Sequence, residues 1–159
     1  MPTKRYNQAV HDYNNRLCRF VDKLLQNTDA AKDITQEAYL RLWKNRNKVD
    51  FDKVRAWLFT TAYRLSMDFI NQQKRFDKNS EIPEKWVHQE HTDLKDVIHQ
   101  ALQILPELQR SIILLKDYEG YSYIEIGEIL NLNESQVKVY LFRARKKIKE
   151  HIGDLRLVI

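Results

Sequence analysis

Between Asn133 and Lys149 the chain carries six basic residues and a single acidic one, Glu134. Their spacing matters more than their number. At about 100° per residue, Val137, Leu141, Ala144 and Ile148 fall on one apolar stripe of a helix. Geometry then fixes the opposite face, which carries Ser135, Lys138, Val139, Phe142, Arg143, Lys146 and Lys149, with Arg145 and Lys147 on its flanks. Ammonium and guanidinium groups on such a face can bind phosphates. Side chains in the first turns can reach base edges in a duplex major groove.

The preceding residues are of the kind needed to position that helix. Ser122 followed by Glu125 is a capping box, and Ile126 and Leu130 share one face of the short helix it opens. Gly127 is the small residue expected to let a second helix cross closely, although a mid-helix Gly costs about 1 kcal/mol relative to Ala. Asn131 tolerates left-handed φ at the turn, Leu132 plugs the corner, and Asn133 with Gln136 forms a second capping signal. Two short helices joined by a tight turn, the second strongly basic, make a helix-turn-helix. The competing reading is a solvated amphipathic helix in an ordinary bundle. Two capping boxes, the Gly and the concentration of charge weigh against it.

Three Gly and three Pro in 159 residues leave little material for hairpins, so the expected class is all-α. Charge divides the chain. Residues 1–76 hold 15 Lys/Arg against 8 Asp/Glu, residues 77–93 hold 2 against 5, and residues 94–159 hold 10 against 9. We therefore expect two small helical modules, 1–76 and 94–159, joined by an acidic linker over 77–93 with Trp86 as its one potential anchor. In the first module, helices are predicted from about Tyr6 to Gln26, from Asp29 (as N-cap) to Lys44, and from Val54 to Gln73. The first would bury Val10, Tyr13, Leu17, Phe20, Val21, Leu24 and Leu25; the third would bury Trp57, Leu58, Thr61, Leu65, Phe69 and Met67. In the second, helices are predicted from Leu94 to Ile104 and from Pro106 to about Tyr118. With the helix-turn-helix they make a four-helix domain.

The net charge of +5 points to a polyanionic partner. One cysteine, Cys18, rules out a disulfide within the chain and reads as a small core hydrophobe in a reducing, cytoplasmic setting. No run of 18 apolar residues predicts membrane insertion or export. His88 and His91 lack a third ligand nearby, so no metal site is expected. No Gly-rich phosphate loop, metal-spaced Cys/His set or nucleophile elbow is present, so neither a cofactor nor enzymatic activity is expected.

A second surface stands out at DAAKDITQEAYLRLW, Asp29 to Trp43. Ala31, Ile34, Ala38 and Leu42 form its core stripe, leaving Leu40 and Trp43 beside Asp29, Asp33, Gln36 and Glu37. An outward face that is part apolar and part acidic, in a basic module, suits a protein partner because carboxylates repel phosphates. For Trp43 alone, packing on the third helix is an equal alternative.

This string resembles region 2.2, the core-polymerase-binding helix of the extracytoplasmic-function sigma factors in the sigma-70 family. VRAWLFTTAYRLSMDFINQQKR, Val54 to Arg75, is similar to their regions 2.3 and 2.4. LPELQRSIILLKDYEGYSYIEIGEILNLNESQVKVYLFRARKKI, Leu105 to Ile148, is similar to region 4. The resemblance implies that Asp33, Gln36, Glu37, Leu40, Arg41 and Trp43 contact polymerase. It implies that the connector Asn45 to Lys53, with Arg46 and Asn47, holds unstacked bases of a −10 element. Arg64, Asp68, Asn71, Lys74 and Arg75 would approach −10 DNA, and Ser135, Gln136, Lys138, Val139, Arg143, Lys146 and Lys149 would meet a −35 element. Val139 and Tyr140 stand where the family commonly has Ser-Arg. Ala62, Tyr63 and Arg64 stand where it commonly has Ala-Arg-Asn, Asn71 replaces a usual basic residue, and Asn131 replaces the Gly of the turn.

The implied function is a promoter-specificity subunit whose partners are core RNA polymerase, promoter DNA and an anti-sigma factor. A conventional helix-turn-helix regulator with an N-terminal sensing or dimerisation module is the alternative, and stable binding to core polymerase separates the two. A 17-residue linker spans at most about 60 Å. With modules roughly 25 Å across, the chain could bridge two and a half duplex turns, roughly 85 Å.

Overall fold

Every regular element among the described residues, 1–77 and 94–157 of this computed structural model, is helical. The expected linker with Trp86, His88 and His91 lies outside those residues, apart from Asp77, which ends a helix.

Helix α1, Thr3–Leu25, begins three residues earlier than its apolar stripe predicts, because the Pro2 carbonyl accepts from the amides of Arg5 and Tyr6. It ends where Gln26 turns left-handed, at φ 55°. Helix α2, Thr28–Lys44, is capped by Asn27, whose side chain accepts from the Ala30 amide at 3.0 Å. The expected cap, Asp29, instead sits in the first turn, where the helix dipole favours a carboxylate. A 3-10 turn, Phe51–Lys53, leads into α3, Val54–Asp77.

Helices α4, Leu94–Gln103, and α5, Glu107–Ile113, meet at Pro106. The helical path continues past α5 as a wide turn over Leu114–Tyr118, in which the Glu119 amide reaches the Leu114 carbonyl five residues back. Helices α6, Tyr123–Leu130, and α7, Glu134–Leu157, complete the chain. Arg110 ties the joints together. Its guanidinium donates to the carbonyls of Leu102 (2.8 Å), Gln103 (2.9 Å) and Leu105 (3.0 Å) at the end of α4, and to Leu24 (2.7 Å) at the end of α1. A cation at two helix C-termini satisfies carbonyls the helices leave orphaned.

The two sets of helices share one apolar core. Phe20 of α1 meets Phe59 of α3 (ring centroids 5.4 Å), and Phe59 meets Tyr121 (5.3 Å) at the entrance to α6. Around this aromatic run, Arg19 donates to the buried Glu119 carboxylate at 3.2 Å, and Arg55 donates to the Glu119 carbonyl at 2.6 Å while lying 4.1 Å over the Tyr121 ring. Lys23 lies 3.9 Å over Tyr118 and Lys74 pairs with Glu107 at 3.2 Å.

This packing rotates the buried arc of α3 away from the expected stripe. Val54, Leu58, Phe59, Ala62 and Ser66 are buried, whereas Trp57, Thr61, Leu65, Met67 and Phe69 are half-buried. The helix has partners on two sides, α1 and α2 on one and α6 on the other.

Candidate nucleic-acid interface

Local chemistry builds the helix-turn-helix. The Ser122 amide donates to the Glu125 carboxylate at 3.1 Å, and the Glu125 amide donates to Ser122 Oγ at 3.2 Å. Asn131 is left-handed at φ 57° and ψ 51°, and the Leu132 amide closes the turn onto the Gly127 carbonyl at 2.8 Å. A second reciprocal cap follows: the Gln136 amide donates to Asn133 Oδ1 (2.8 Å) and the Asn133 amide to Gln136 Oε1 (3.0 Å).

Gly127 has a different role from the expected one. A Cβ there would run into the carbonyl oxygen of Leu132, whereas the nearest atom of α7, a Val137 methyl, would lie at an ordinary 3.8 Å. The glycine admits the backbone of the turn, not a close helix crossing. Gly127→Ala gains about 1 kcal/mol of helix propensity, yet forcing the turn aside should cost about 1–3 kcal/mol. The expected net result is a lower denaturation midpoint with an unchanged slope. A raised midpoint would show that the turn yields freely.

On α7, Val137, Leu141 and Ala144 are buried and Ile148 is half-buried, as the stripe predicts. Ser135, Gln136, Lys138, Val139, Arg143, Lys146 and Lys149 all lie exposed. Lys138 pairs with Glu134 at 3.4 Å along the helix, and the Arg143 guanidinium lies 6.0 Å from the Tyr140 ring centroid. Gln136 uses its Oε1 in the cap, so a base contact would run through Nε2. Arg145 donates to the Asp117 carboxylate at 2.6 and 3.4 Å, and these hydrogen bonds raise its pKa. It holds α7 to the wide turn. Phe142, 70% exposed, belongs to the outward face but not to the set of candidate contacts named from sequence.

A second candidate surface forms on α2. Asp33, Gln36, Leu40 and Arg41 are exposed, and Glu37 pairs with Arg41 at 3.0 Å. Leu40 is 46% exposed and borders a shallow concavity with Tyr6, Val10, Gln36 and Tyr39. Trp43 packs edge-on against Tyr6 of α1 at 4.9 Å, with the Arg46 guanidinium 4.0 Å over its ring. Arg46 also donates to the Trp43 carbonyl at 2.8 Å, and its own carbonyl accepts from the N-terminal ammonium at 2.7 Å.

Along α3, Arg64, Asp68, Asn71 and Arg75 recur every three or four residues and are all exposed. They form one line. Lys74, beside it, is the residue paired with Glu107 of α5. Asn47 is exposed in the connector. Burial pushes the Tyr121 phenol above its usual range, against an opposing pull from Arg55. No helix among the described residues is long and apolar enough to cross a membrane.

Residues 9–76 match the family model for Sigma-70 region 2, and residues 95–148 match that for Sigma-70, region 4. The ECF RNA polymerase sigma factor SigW of Bacillus subtilis is 30% identical over 92% of this chain and 88% of its own length. SigM of the same organism, also an ECF RNA polymerase sigma factor, is 27% identical over 86% and 88%. Among solved structures, the sigma factor RpoE in complex with the anti-sigma factor NepR from Bartonella quintana superposes with a TM-score of 0.74 at 23% identity, covering 95% of this chain and 98% of that one. CnrH in complex with the cytosolic domain of CnrY superposes at 0.71 and 20% identity, covering 94% and 88%. Two sigma-70 regions in order along the chain, together with a relative that matches over nearly its whole length, establish that this protein belongs to the extracytoplasmic-function RNA polymerase sigma factors of the sigma-70 family.

Proposed function

We propose that residues 1–76 and 94–159 act as two promoter-binding modules of a sigma factor that docks on core RNA polymerase, directs it to promoter DNA and initiates transcription without chemistry of its own. The observation that carries the reading is the doubly capped helix-turn-helix, whose second helix leaves its cationic face uncovered. In this reading Asp33, Gln36, Glu37, Leu40, Arg41 and Trp43 of α2 form the polymerase-facing surface. The line Arg64, Asp68, Asn71 and Arg75, together with Lys74, Arg46 and Asn47, meets the −10 element. Lys74 and Arg46 must first leave Glu107 and Trp43. Seven residues of α7, Ser135, Gln136, Lys138, Val139, Arg143, Lys146 and Lys149, meet the −35 element.

The protein would work in the cytoplasm, and an anti-sigma factor is proposed as its regulator by likeness to complexes of RpoE with NepR and of CnrH with CnrY. Co-purification with core polymerase, followed by promoter-dependent run-off transcription, tests the proposal. Sequence-specific duplex binding without polymerase capture would instead mark a conventional regulator.

Position along α7 sets the expected effects of substitution. Lys146 and Lys149 lie in the fourth and fifth turns of α7, where side chains meet phosphates. Lys146→Ala with Lys149→Ala should weaken binding to all duplexes alike and lower the log-log salt slope by roughly 0.9 per lost contact. Lys138→Ala, one turn in, should change which −35 sequence is preferred. Competition binding on randomised duplexes at fixed salt reads both, and a swapped pattern would reverse the assignment.

A further inference from the structure

A cavity of about 280 Å³ lies where α1, α4 and the wide turn meet. It is lined by Lys23 of α1, by Lys95, Asp96, His99 and Leu102 of α4, and by Tyr118 of the turn. Lys23 belongs to one set of helices and the other residues to the second, so the walls come together only while the two sets are packed.

The walls carry the chemistry of an anion site. Lys23 and Lys95 bring ammonium groups from different helices, and His99, one turn after Lys95, adds an imidazole that can donate. Asp96 opposes an anion; Leu102 and the Tyr118 ring keep part of the wall apolar, which strengthens charge interactions inside. Burial first, then Arg19 and Lys95, push the Lys23 ammonium below its usual range, against a weaker upward pull from Glu119 and Asp22. Arg19 is already committed to the Glu119 carboxylate at 3.2 Å. Lys23 rests 3.9 Å over the Tyr118 ring, a contact that leaves its charge in place. Packing thus gathers like charge where the two sets of helices meet, at a cost to the packed arrangement. A polyvalent anion between the ammonium groups removes that cost. The cavity is smaller than the roughly 300–1,000 Å³ that drug-sized ligands occupy, so it suits a small ion and excludes a duplex.

We propose that this cavity binds a small polyvalent anion of the phosphate class, held by Lys23 and Lys95 with His99, and that the bound anion fastens the two sets of helices together. A ligand that binds only the packed form shifts the equilibrium toward it. The inference rests on the packing of the fold and not on the reading of either module as a DNA-binding unit.

Pyrophosphate is the probe, titrated calorimetrically into the full chain at constant ionic strength set with chloride, so that diffuse attraction to exposed cations is screened alike in every sample. One anion should bind per chain, orthophosphate more weakly, and saturation should raise the thermal midpoint. Lys23→Gln and Lys95→Gln, on different walls, should each weaken pyrophosphate about tenfold, the factor expected for loss of one charge-assisted hydrogen bond. Each should also reduce the midpoint shift at fixed pyrophosphate. Lys32→Gln, exposed on α2 and outside the lining, should change neither. Circular dichroism checks the fold of every variant, and without anion the two lining variants should keep or raise the midpoint because a like charge is gone. Neither saturable heat nor a midpoint shift, binding that both lining variants leave intact, equal losses in all three variants, or binding without a midpoint shift overturns the proposal. So does displacement of pyrophosphate by a short non-promoter duplex, which would assign the lysines to a nucleic-acid backbone.

Discussion

A chain carrying Glu37→Lys and Leu40→Ala is expected to fold normally and to lose core RNA polymerase almost completely. Leu40 is 46% exposed and lies off the buried stripe on which Ala38 and Leu42 carry the packing of α2, so removing the Leu40 side chain opens no cavity. Among the described residues Glu37 pairs with Arg41, one helical turn on, with both side chains close to half exposed. Such a pair contributes about 0.3–0.5 kcal/mol. The loss to folding is therefore small, while the loss to binding is not. Truncating an apolar anchor at the centre of an interface costs about 2 kcal/mol or more, and a reversed charge beside it adds repulsion to whatever complements Glu37. Together they should lower capture more than tenfold. The measurement is co-purification at matched concentrations, with circular dichroism as the check on folding. Retention at the yield of the unaltered chain would remove α2 from the polymerase-facing surface.

The features legible in the sequence are those determined within one or two helical turns. Both capping boxes, the left-handed Asn131 and the buried stripes of α2 and α7 need only neighbours in sequence, and the residues that make them are of the types the geometry demands. Gly127 shows the limit. Its presence was legible but its reason was not, because the obstructing atom is a carbonyl brought close only by the path of the turn. Trp43 could be placed at the edge of α2, yet its partners are Tyr6, from a different helix, and Arg46, from the following turn. Nothing periodic marks either. The same holds for Arg110, a lone basic residue whose four carbonyl partners are gathered from the ends of two helices. Phe59 and Tyr121 are 62 positions apart in the sequence, and each is buried chiefly because the two sets of helices meet.

That meeting has a consequence for promoter binding, and Glu119→Lys is the substitution expected to reveal it. Helix α6, which carries the turn into α7, touches α3, so the two candidate DNA-binding helices lie within a few helix diameters, each about 10 Å. Promoter elements two and a half turns apart are separated by roughly 85 Å. The closed arrangement cannot hold both at once. Glu119 is central to it: its carboxylate, 2% exposed, accepts from Arg19, and its carbonyl accepts from Arg55. A lysine there places a third cation against two arginines. Breaking such a buried pair costs about 3 kcal/mol, the lower end of the usual range because Arg19 is half exposed. That shifts the equilibrium between closed and open forms roughly a hundredfold toward open. Small-angle scattering should report a radius of gyration of about 15 Å for the unaltered chain and above about 20 Å for the variant, from the size scaling of one compact unit against two. Affinity for a duplex bearing both elements should rise, whereas affinity for the −35 element alone should not, because the outward face of α7 is already uncovered in the closed form. Arg55→Ala, which removes the hydrogen bond to the Glu119 carbonyl and the guanidinium over Tyr121 while leaving the Arg19–Glu119 ion pair in place, should act in the same direction. Unchanged scattering in both variants would mean that the aromatic run Phe20, Phe59 and Tyr121 holds the helices together without either arginine contact.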